Sequence, residues 1–236
     1  MGTAPIEGRI VVQLYALREV DEQRINDQVW AKEGNRGGLQ IPALQIALNY
    51  GADIVRVRQY PISTEGRKGL QPIIENLLED GLLEPCMPPY YTPILPVRKT
   101  DGTFRLVQDL RELNKVVQAR HPVVPNPYTI MGRIPPSHKW FSVVDLKDAF
   151  WSCPLATESR DLFAFEWENL KTGRKQQFRW AVLPQGFTES PNLFGQILEQ
   201  VLEDFPGHGE TQLLQYVDDL LLSGETEEEV RDATIS

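Results

Sequence analysis

Apolar residues recur at two kinds of spacing along this chain, and the spacing predicts where helices and strands form. Stripes with a three- and four-residue repeat predict amphipathic helices over residues 65–80 and 189–205, because that repeat places apolar side chains on one helical face. Five prolines between residues 121 and 136 predict a connecting loop there. Short apolar runs predict strands over residues 10–17, 94–99, 104–109, 141–146, 162–167 and 178–183.

Turn and cap residues mark where several of these elements begin and end. Asp101-Gly102 lies between two strand-like runs and predicts a hairpin. Gly81 is a natural stop for the first helix. Ser190 followed by Pro191 fits an N-cap with proline at the first helical position of the second helix. The chain therefore mixes helices with short, hairpin-linked strands.

One apolar run is unusual because it carries two adjacent carboxylates. Residues 213–222 read Leu-Leu-Gln-Tyr-Val-Asp-Asp-Leu-Leu-Leu, which predicts a hairpin with Asp218 and Asp219 at its tip. Asp-Asp is a poor turn dipeptide, since such tips favour residues that reach φ > 0 cheaply. Two unit charges ~4 Å apart also repel by about 4 kcal/mol at an effective dielectric of ~20. Either both side chains simply face water, or a divalent cation turns the repulsion into attraction.

Asp145 has a similar setting, because it closes the apolar run over residues 141–146. If that strand pairs with the late hairpin, then Asp145, Asp218 and Asp219 meet at one end of an antiparallel sheet. Two cations about 3.5–4 Å apart can clamp the attacking and leaving oxygens of a phosphoryl displacement. Since successive strand residues face opposite ways, we expect Asp145 and Asp218 to be the main ligands and Asp219 the weaker one.

Basic side chains cluster on the earlier hairpin. Lys99 and Arg105 flank its predicted turn and could hold a triphosphate, Arg105 with bidentate geometry and Lys99 as a point charge. Arg98 is the alternative to Lys99, and simple solubilising charge is the alternative role for all three. Residues 98–120 carry a net charge of +3 in a chain whose net charge is −9. A local basic segment remains compatible with a phosphate-bearing partner.

Charge and composition exclude several other classes of protein. Residues 199–236 carry a net charge of −10, so the remainder of the chain is close to neutral. Cys86 and Cys153 are far apart and no Cys-x-x-Cys pair is present, which disfavours zinc and disulfide frameworks. No apolar run is long enough for a membrane span, so an intracellular protein is expected. The phosphate loop that an ATPase would need is also missing.

Five segments, taken together and in order, resemble the retroviral reverse transcriptases, and most closely the gammaretroviral type. Each segment alone is a weak signal, but their order and separation are specific. The resemblance extends from about residue 59 to residue 225. The segments that carry it are Leu95-Pro96-Val97-Arg98-Lys99, residues 107–115, residues 144–150, Leu183-Pro184-Gln185-Gly186-Phe187 and Tyr216-Val217-Asp218-Asp219.

The resemblance implies an α+β fold, namely the fingers and palm of a right-hand polymerase with an antiparallel palm sheet backed by helices. The fingers would comprise residues 36–119 and 156–187, and the palm residues 120–155 and 188–236, after a poorly defined extension over residues 1–35. A thumb is not expected within this sequence. Because phosphate contacts supply most non-specific affinity for nucleic acids, we expect weak and salt-dependent binding of primer–template.

The resemblance also assigns roles to individual residues. Asp145, Asp218 and Asp219 match the catalytic, metal-binding carboxylates, which would hold two Mg²⁺ or Mn²⁺ ions. Arg111 matches a position that contacts the template. The nucleotide-binding positions match Lys99, Arg105, Phe150 and Gln185, with Phe150 excluding a ribose 2′-hydroxyl. The partners would be dNTP and a primed RNA or DNA template, bound by a monomer.

Two functions follow from these expectations. The first is RNA-directed DNA polymerase activity by two-metal nucleotidyl transfer. The second is a catalytically incompetent remnant of an endogenous retroviral Pol protein, which keeps only the fold or a binding surface.

Overall fold

The computed structural model describes residues 18–30, 38–119, 126–205, 207 and 209–236. The strand predicted over residues 10–17 lies outside these ranges. The strands are β1 (Leu83–Cys86), β2 (Ile94–Arg98), β3 (Phe104–Gln108), β4 (Trp140–Asp145), β5 (Phe165–Glu168), β6 (Lys175–Trp180), β7 (Gln212–Tyr216) and β8 (Asp219–Gly224). The α-helices are α1 (Glu19–Glu22), α2 (Thr64–Glu79), α3 (Arg111–Val116), α4 (Pro127–Met131), α5 (Thr157–Arg160), α6 (Ser190–Leu202) and α7 (Glu227–Ile235). Short 3₁₀ helices lie at Asp27–Val29, Ala149–Ser152 and Asp161–Phe163.

The described strands form three separate antiparallel sheets. The core sheet has the strand order β1-β6-β5, and the carboxylate sheet has the order β4-β8-β7. Strands β2 and β3 form a two-stranded unit, called here the basic hairpin. Helix α2 packs against the basic hairpin, and α7 packs against β4 and β8. The predicted α+β class, with antiparallel sheets backed by helices, is confirmed.

The largest hydrophobic cluster joins α2, the core sheet and α6. Its centre is aromatic: Phe163, Phe165, Phe187 and Phe194 are fully buried. Phe163 and Phe187 meet edge to face, with ring centroids 5.1 Å apart. Burying one such side chain contributes about 1.5–3 kcal/mol, so this cluster dominates the stability of the described chain.

Glycines in α2 let the basic hairpin approach the helix backbone. A Cβ atom added at Gly66 would lie 2.6 Å from Cγ of Pro96, and one added at Gly69 would overlap the ring of Phe104. The hairpin strands therefore pack directly on the face of α2 that carries these two glycines. Any larger side chain at either position would increase the distance between the helix and the hairpin. Helix α2 begins at the Ser63 cap, whose side chain accepts from the Gly66 N–H, and ends before Gly81 at φ 70°.

The carboxylate sheet has a smaller core of its own. Leu222 packs with Val230 and Ala233 of α7 on one face of the sheet. The opposite face is open along β4, where Phe141 is 51% exposed and Val143 is 71% exposed, although Leu214 of β7 on that face is only 6% exposed. One side of this sheet is therefore packed, and the other is only partly covered.

Part of the predicted N-terminal extension packs onto α7. Asp21 in α1 is only 4% exposed. Its carboxylate accepts from Arg18 at 2.8 Å and lies 3.5 Å from Arg231 of α7. Arg24 pairs in turn with Asp232 at 3.0 Å. These ion pairs attach the segment over residues 18–30 to the helix that backs the carboxylate sheet.

Two predicted elements are corrected by the structure. The loop over residues 121–136 contains α4, because Asn126 caps the Tyr128 N–H and Pro127 occupies the first helical turn. The strand predicted over 162–167 starts with the 3₁₀ helix Asp161–Phe163 and becomes extended only at Phe165. Apolar runs of this length do not distinguish a buried helical turn from a strand.

The predicted N-cap of the second long helix is also wrong. Glu189, rather than Ser190, occupies the cap position of α6. Ser190 is fully buried, and its hydroxyl donates to the Pro184 carbonyl at 2.7 Å. The side chain therefore fixes the loop before α6 instead of capping the helix.

The two cysteines are free thiols, as predicted. Cys153 is buried and Cys86 is partly buried, and burial raises the pKa of Cys86 to about 11. Among the described residues, no helix is both long and apolar enough to cross a bilayer.

Candidate active site

Strand register brings the three predicted carboxylates to one end of the carboxylate sheet. Asp145, the last residue of β4, pairs with Asp219, the first residue of β8. Asp218 lies in the adjoining turn, and its carbonyl accepts from the Leu146 N–H at 3.4 Å. Asp145 and Asp219 are exposed. Because directly paired residues project to the same face with Cβ atoms ~4.5–5.5 Å apart, these two carboxylates start from neighbouring positions.

The turn itself differs from the prediction that both aspartates sit at its tip. It consists of Val217 and Asp218, since Asp219 already pairs with Tyr216. Val217 has φ 55° at a position where such turns favour glycine. A β-branched residue held there costs of the order of 1–3 kcal/mol. The Gln215 side chain offsets this by donating to the Val217 carbonyl at 3.1 Å and to the Gly195 carbonyl of α6 at 2.9 Å.

The donor set at this sheet end fits a hard divalent cation. Carboxylate oxygens are the ligands that Mg²⁺ prefers, and the residues lie at an open edge that substrate can reach. Within the described ranges, no three His, Cys, Asp or Glu side chains are already grouped tightly enough to hold a metal ion. Metal binding by the three aspartates, with Asp219 as the weaker ligand, stays a prediction.

A shallow cleft of about 290 Å³ lies at the base of the basic hairpin. Asp109 and Arg111 form its polar edge. Arg111 donates to both Asp109 oxygens, at 2.8 and 2.7 Å. These bonds lower the pKa of Asp109 and raise the pKa of Arg111. The cleft is lined by Leu95, Val107, Gln108, Asp109, Leu110, Arg111 and Gly186.

Strand alternation separates Arg98 and Lys99, the two candidate phosphate-binding residues at the end of β2. Arg98 pairs with Phe104 and lies 3.5 Å from Glu65 of α2, so it belongs to the helix side of the hairpin. The backbone N–H of Lys99 donates to the Thr103 carbonyl at 2.7 Å. Because side chains alternate between the faces of a strand, Lys99 projects to the same face as Leu95, which lines the cleft. Arg105 projects to that same face, because it pairs with Val97. The register therefore favours Lys99 over Arg98.

The remaining predicted site residues lie near α6. Phe150 is partly buried in a 3₁₀ helix, and its ring meets Phe194 edge-on at 5.9 Å. Gln185 is exposed in the turn beside Gly186. Gly186 has φ 86°, and a Cβ atom there would lie 3.4 Å from the Gln108 carbonyl. The turn that carries Gln185 is thus packed against the end of β3.

Residues 97–235 match the family described as reverse transcriptase (RNA-dependent DNA polymerase). That span is more than half of the chain and contains every predicted site residue. The chain belongs to the reverse transcriptase family. The resemblance predicted from the five sequence segments is therefore confirmed.

Individual reverse transcriptase relatives support a gammaretroviral affinity. The Gag-Pol polyprotein of woolly monkey sarcoma virus is 48% identical over 210 residues, which are 87% of this chain and 12% of that polyprotein. The Pol polyprotein of feline endogenous virus ECE1 is 49% identical over 206 residues, covering 85% of this chain and 20% of that protein. The chain thus spans only a small part of the length of these relatives.

Solved reverse transcriptase structures share the fold. The protease–reverse transcriptase of prototype foamy virus has a TM-score of 0.78 at 31% identity, over 93% of this chain and 29% of that chain. A foamy viral protease–reverse transcriptase in complex with double-stranded DNA has a TM-score of 0.67 at 32% identity, over 87% of this chain and 35% of that chain.

Sequence reasoning assigned no role to several residues that shape the candidate site. Gln215 pins the turn, Asp109 orients Arg111, and Asn114 binds the loop after Gln185 through the Gly186 carbonyl and the Thr188 N–H, both at 3.1 Å. Asp109 and Asn114 lie inside the segment over residues 107–115, and Gln215 directly precedes the segment that begins at Tyr216. Their proximity to the motifs was a visible signal, but their hydrogen-bond partners depend on tertiary contacts.

Proposed function

We propose that this chain is a polymerase domain that adds deoxynucleotides to a primer 3′-hydroxyl, directed by an RNA or DNA template. The observation that carries the proposal is the register of the carboxylate sheet. It sets Asp145 opposite Asp219 and leaves Asp218 in the adjoining turn. Family membership makes nucleotidyl transfer the reaction that such a carboxylate set would serve.

The three aspartates would hold two Mg²⁺ or Mn²⁺ ions. When bound, such a pair of ions activates the attacking oxygen and stabilises the leaving oxygen of an in-line phosphoryl displacement. The chain contributes the ligand positions: Asp145 from a strand end, Asp219 from the facing strand and Asp218 from the turn. Gln215 keeps that turn against α6 through the Gly195 carbonyl.

Side chains around the cleft would bind the nucleic acid and the incoming nucleotide. Lys99 and Arg105, on the cleft side of the basic hairpin, would contact the triphosphate of a dNTP. Phe150, braced by Phe194, would exclude a 2′-hydroxyl, and Gln185 would line the nucleotide pocket. Arg111 is 80% exposed while its partner Asp109 is largely buried, so its guanidinium is oriented and accessible for a template contact.

The proposed fingers and palm follow the sheets. Residues 36–119 and 156–187 contain the basic hairpin and the core sheet, and residues 120–155 and 188–236 contain the carboxylate sheet with α6 and α7. The division assigns nucleotide gripping to the first unit and catalysis to the second.

Primer extension by the 236-residue chain tests the proposal. The assay would use a labelled primer on an RNA template, low salt, and Mg²⁺ or Mn²⁺, with Asp218→Asn as the inactive variant. We expect short, metal-dependent extension that Asp218→Asn abolishes. Asp204→Asn is the matched control, because Asp204 is an exposed acidic residue after α6, and it should extend normally.

Two results would contradict the proposal. One is extension by Asp218→Asn at the rate of the control, which would mean that the carboxylates do not act. The other is a cooperatively folded chain that incorporates no nucleotide with either metal. That second result would favour the remnant that keeps the fold alone.

A further inference from the structure

One buried amide joins four parts of the molecule. Gln108 ends β3 and is only 5% exposed. Its Nε2 donates to Thr92 Oγ1 at 2.8 Å and to the carbonyls of Phe163 and Ala164, each at 3.2 Å. Its Oε1 accepts from Trp180 Nε1 at 2.8 Å. Every polar atom of this side chain therefore has a partner inside the protein.

The partners lie on different elements. Thr92 precedes β2, Trp180 ends β6, and Phe163 and Ala164 lead into β5. Thr92 is 2% exposed and Trp180 is 4% exposed, so the bonds lie in a region without solvent. Hydrogen bonds in such surroundings are stronger than in water, and an unpaired group there is costly. The amide thus fixes the basic hairpin to the core sheet at one point.

That point lies directly behind the cleft, because Gln108 pairs with Ile94 and its side chain projects to the face of the hairpin opposite Leu95 and Val107. Gln108 itself lines the cleft, between Val107 and the Asp109 that orients Arg111. Its backbone carbonyl is the atom that a Cβ at Gly186 would approach to 3.4 Å. A displacement of Gln108 would consequently move β3, which carries Arg105, relative to the turn that carries Gln185.

We propose that Gln108 is a positioning residue for the incoming nucleotide. Its amide fixes the strand of Arg105 to the core sheet, and its backbone carbonyl lies against Gly186 in the turn of Gln185. Gln108 would thereby set the separation that the dNTP requires. This proposal rests on the proposed polymerase function. Gln108 touches no reacting atom, so its loss should weaken nucleotide binding more than it slows the chemical step.

An apolar residue of the same size could fill the space that Gln108 occupies. Methionine would keep the volume but leave the Trp180 N–H and the Phe163 carbonyl without their partner. Purely structural packing would tolerate that exchange with a loss of stability alone. A positioning role predicts an additional change in nucleotide affinity.

The test compares Gln108→Met with Gln71→Met. Gln71 is another buried amide, 6% exposed, which donates to Glu75 at 2.7 Å and accepts from the Leu170 N–H at 3.3 Å, away from the cleft. Steady-state primer extension would be measured well below the unfolding temperature of each variant. We expect Gln108→Met to raise the KM for dNTP about tenfold, which is about 1.4 kcal/mol, while kcat changes less than about twofold. Gln71→Met should leave both unchanged.

Trp180→Phe supplies a second variant, because it removes the N–H partner and keeps an aromatic ring. Its effect on the KM for dNTP should be in the same direction, and the double variant with Gln108→Met should be no worse than Gln108→Met alone. Additive effects on KM, or equal KM values for Gln108→Met and Gln71→Met, would overturn the proposal.

Hydrogen exchange separates this proposal from the polymerase function itself. In Gln108→Met, amides of β2 and β3 should exchange faster than in Gln71→Met, whether or not the chain extends a primer. If exchange responds in this way but the wild-type chain never extends a primer, then the proposed polymerase function fails, and the proposed dNTP site fails with it. If the wild type extends and exchange in the hairpin is unchanged, the positioning role fails alone.

Discussion

The core sheet and the carboxylate sheet are both three-stranded and antiparallel, yet they are held in opposite ways. The core sheet lies in the large cluster, where Phe163, Phe165 and Leu155 are fully buried. The carboxylate sheet rests on a small cluster around Leu222, and its other face is open along β4, with Val143 71% exposed. One sheet is fixed by extensive burial, and the other by a small core together with strand register and a few hydrogen bonds.

The difference matches the proposed division of labour. The region that would grip a nucleotide depends on exact spacing between elements, and dense packing provides it. The region that would carry the cations keeps an exposed edge, and elements with few buried apolar contacts open most readily. The carboxylate sheet should therefore be the less stable part of the chain.

Matched leucine truncations test this comparison and have the largest expected effect. Leu155→Ala in the large cluster should cost about 3–5 kcal/mol of unfolding free energy, and Leu222→Ala in the small cluster about 2–3 kcal/mol. Urea unfolding would measure both. Hydrogen exchange in Leu222→Ala should rise in β4, β7 and β8 while the core sheet stays protected. A uniform rise throughout the chain would refute the distinction between the two regions.

Gln215→Leu should separate the turn from the helix that supports it. The variant loses both bonds to the Val217 and Gly195 carbonyls, each of which leaves a polar group unpaired. We expect a loss of about 1–3 kcal/mol and a fall in kcat for primer extension with little change in the KM for dNTP. Gln212→Leu, at the far end of β7, is the comparison variant. Equal kcat values for the two variants would show that the turn needs no such support.

Part of the fold and of the candidate site could be predicted from the sequence pattern, and part of it could not. The α2 and α6 stripes, the Asp101-Gly102 hairpin and the strand ending at Asp145 were predictable, because period and turn chemistry are local. The order of strands in each sheet follows from contacts between distant segments. The position of Asp219 in β8 rather than in the turn was not predictable either, because the turn places a valine at a positive φ and Gln215 donates to its carbonyl.

Asp109→Asn should leave the Arg111 side chain less well oriented at the cleft beside the basic hairpin. Arg111 lowers the pKa of Asp109 through their hydrogen bonds. The pair therefore stabilises the fold above the ordinary aspartate pKa of about 3.9, and this contribution is lost as the pH falls through the lower folded-state value. We expect weaker template binding by a few-fold. The acid dependence of the urea midpoint should also be shallower in Asp109→Asn; an unchanged dependence would argue against the pair.

Val217→Gly should have the smallest effect on stability, and its sign is informative. Glycine relieves the positive φ at this position, worth about 1–3 kcal/mol, but it also gives the unfolded chain more freedom, which offsets part of that gain. We expect a melting temperature near that of the wild type together with a lower kcat, because the turn is less constrained. A lower melting temperature with unchanged kcat would mean that the valine side chain acts only through packing.

Direct counting of bound manganese tests the central claim most closely. Mn²⁺ would be titrated into the chain with a 3′-deoxy-terminated primer–template and dNTP, and free ion would be followed by electron paramagnetic resonance. The account predicts about two Mn²⁺ ions per complex for the wild type and fewer for Asp145→Asn. Equal stoichiometry and affinity in the two proteins would contradict it, since Asp145 would then not belong to the cation site.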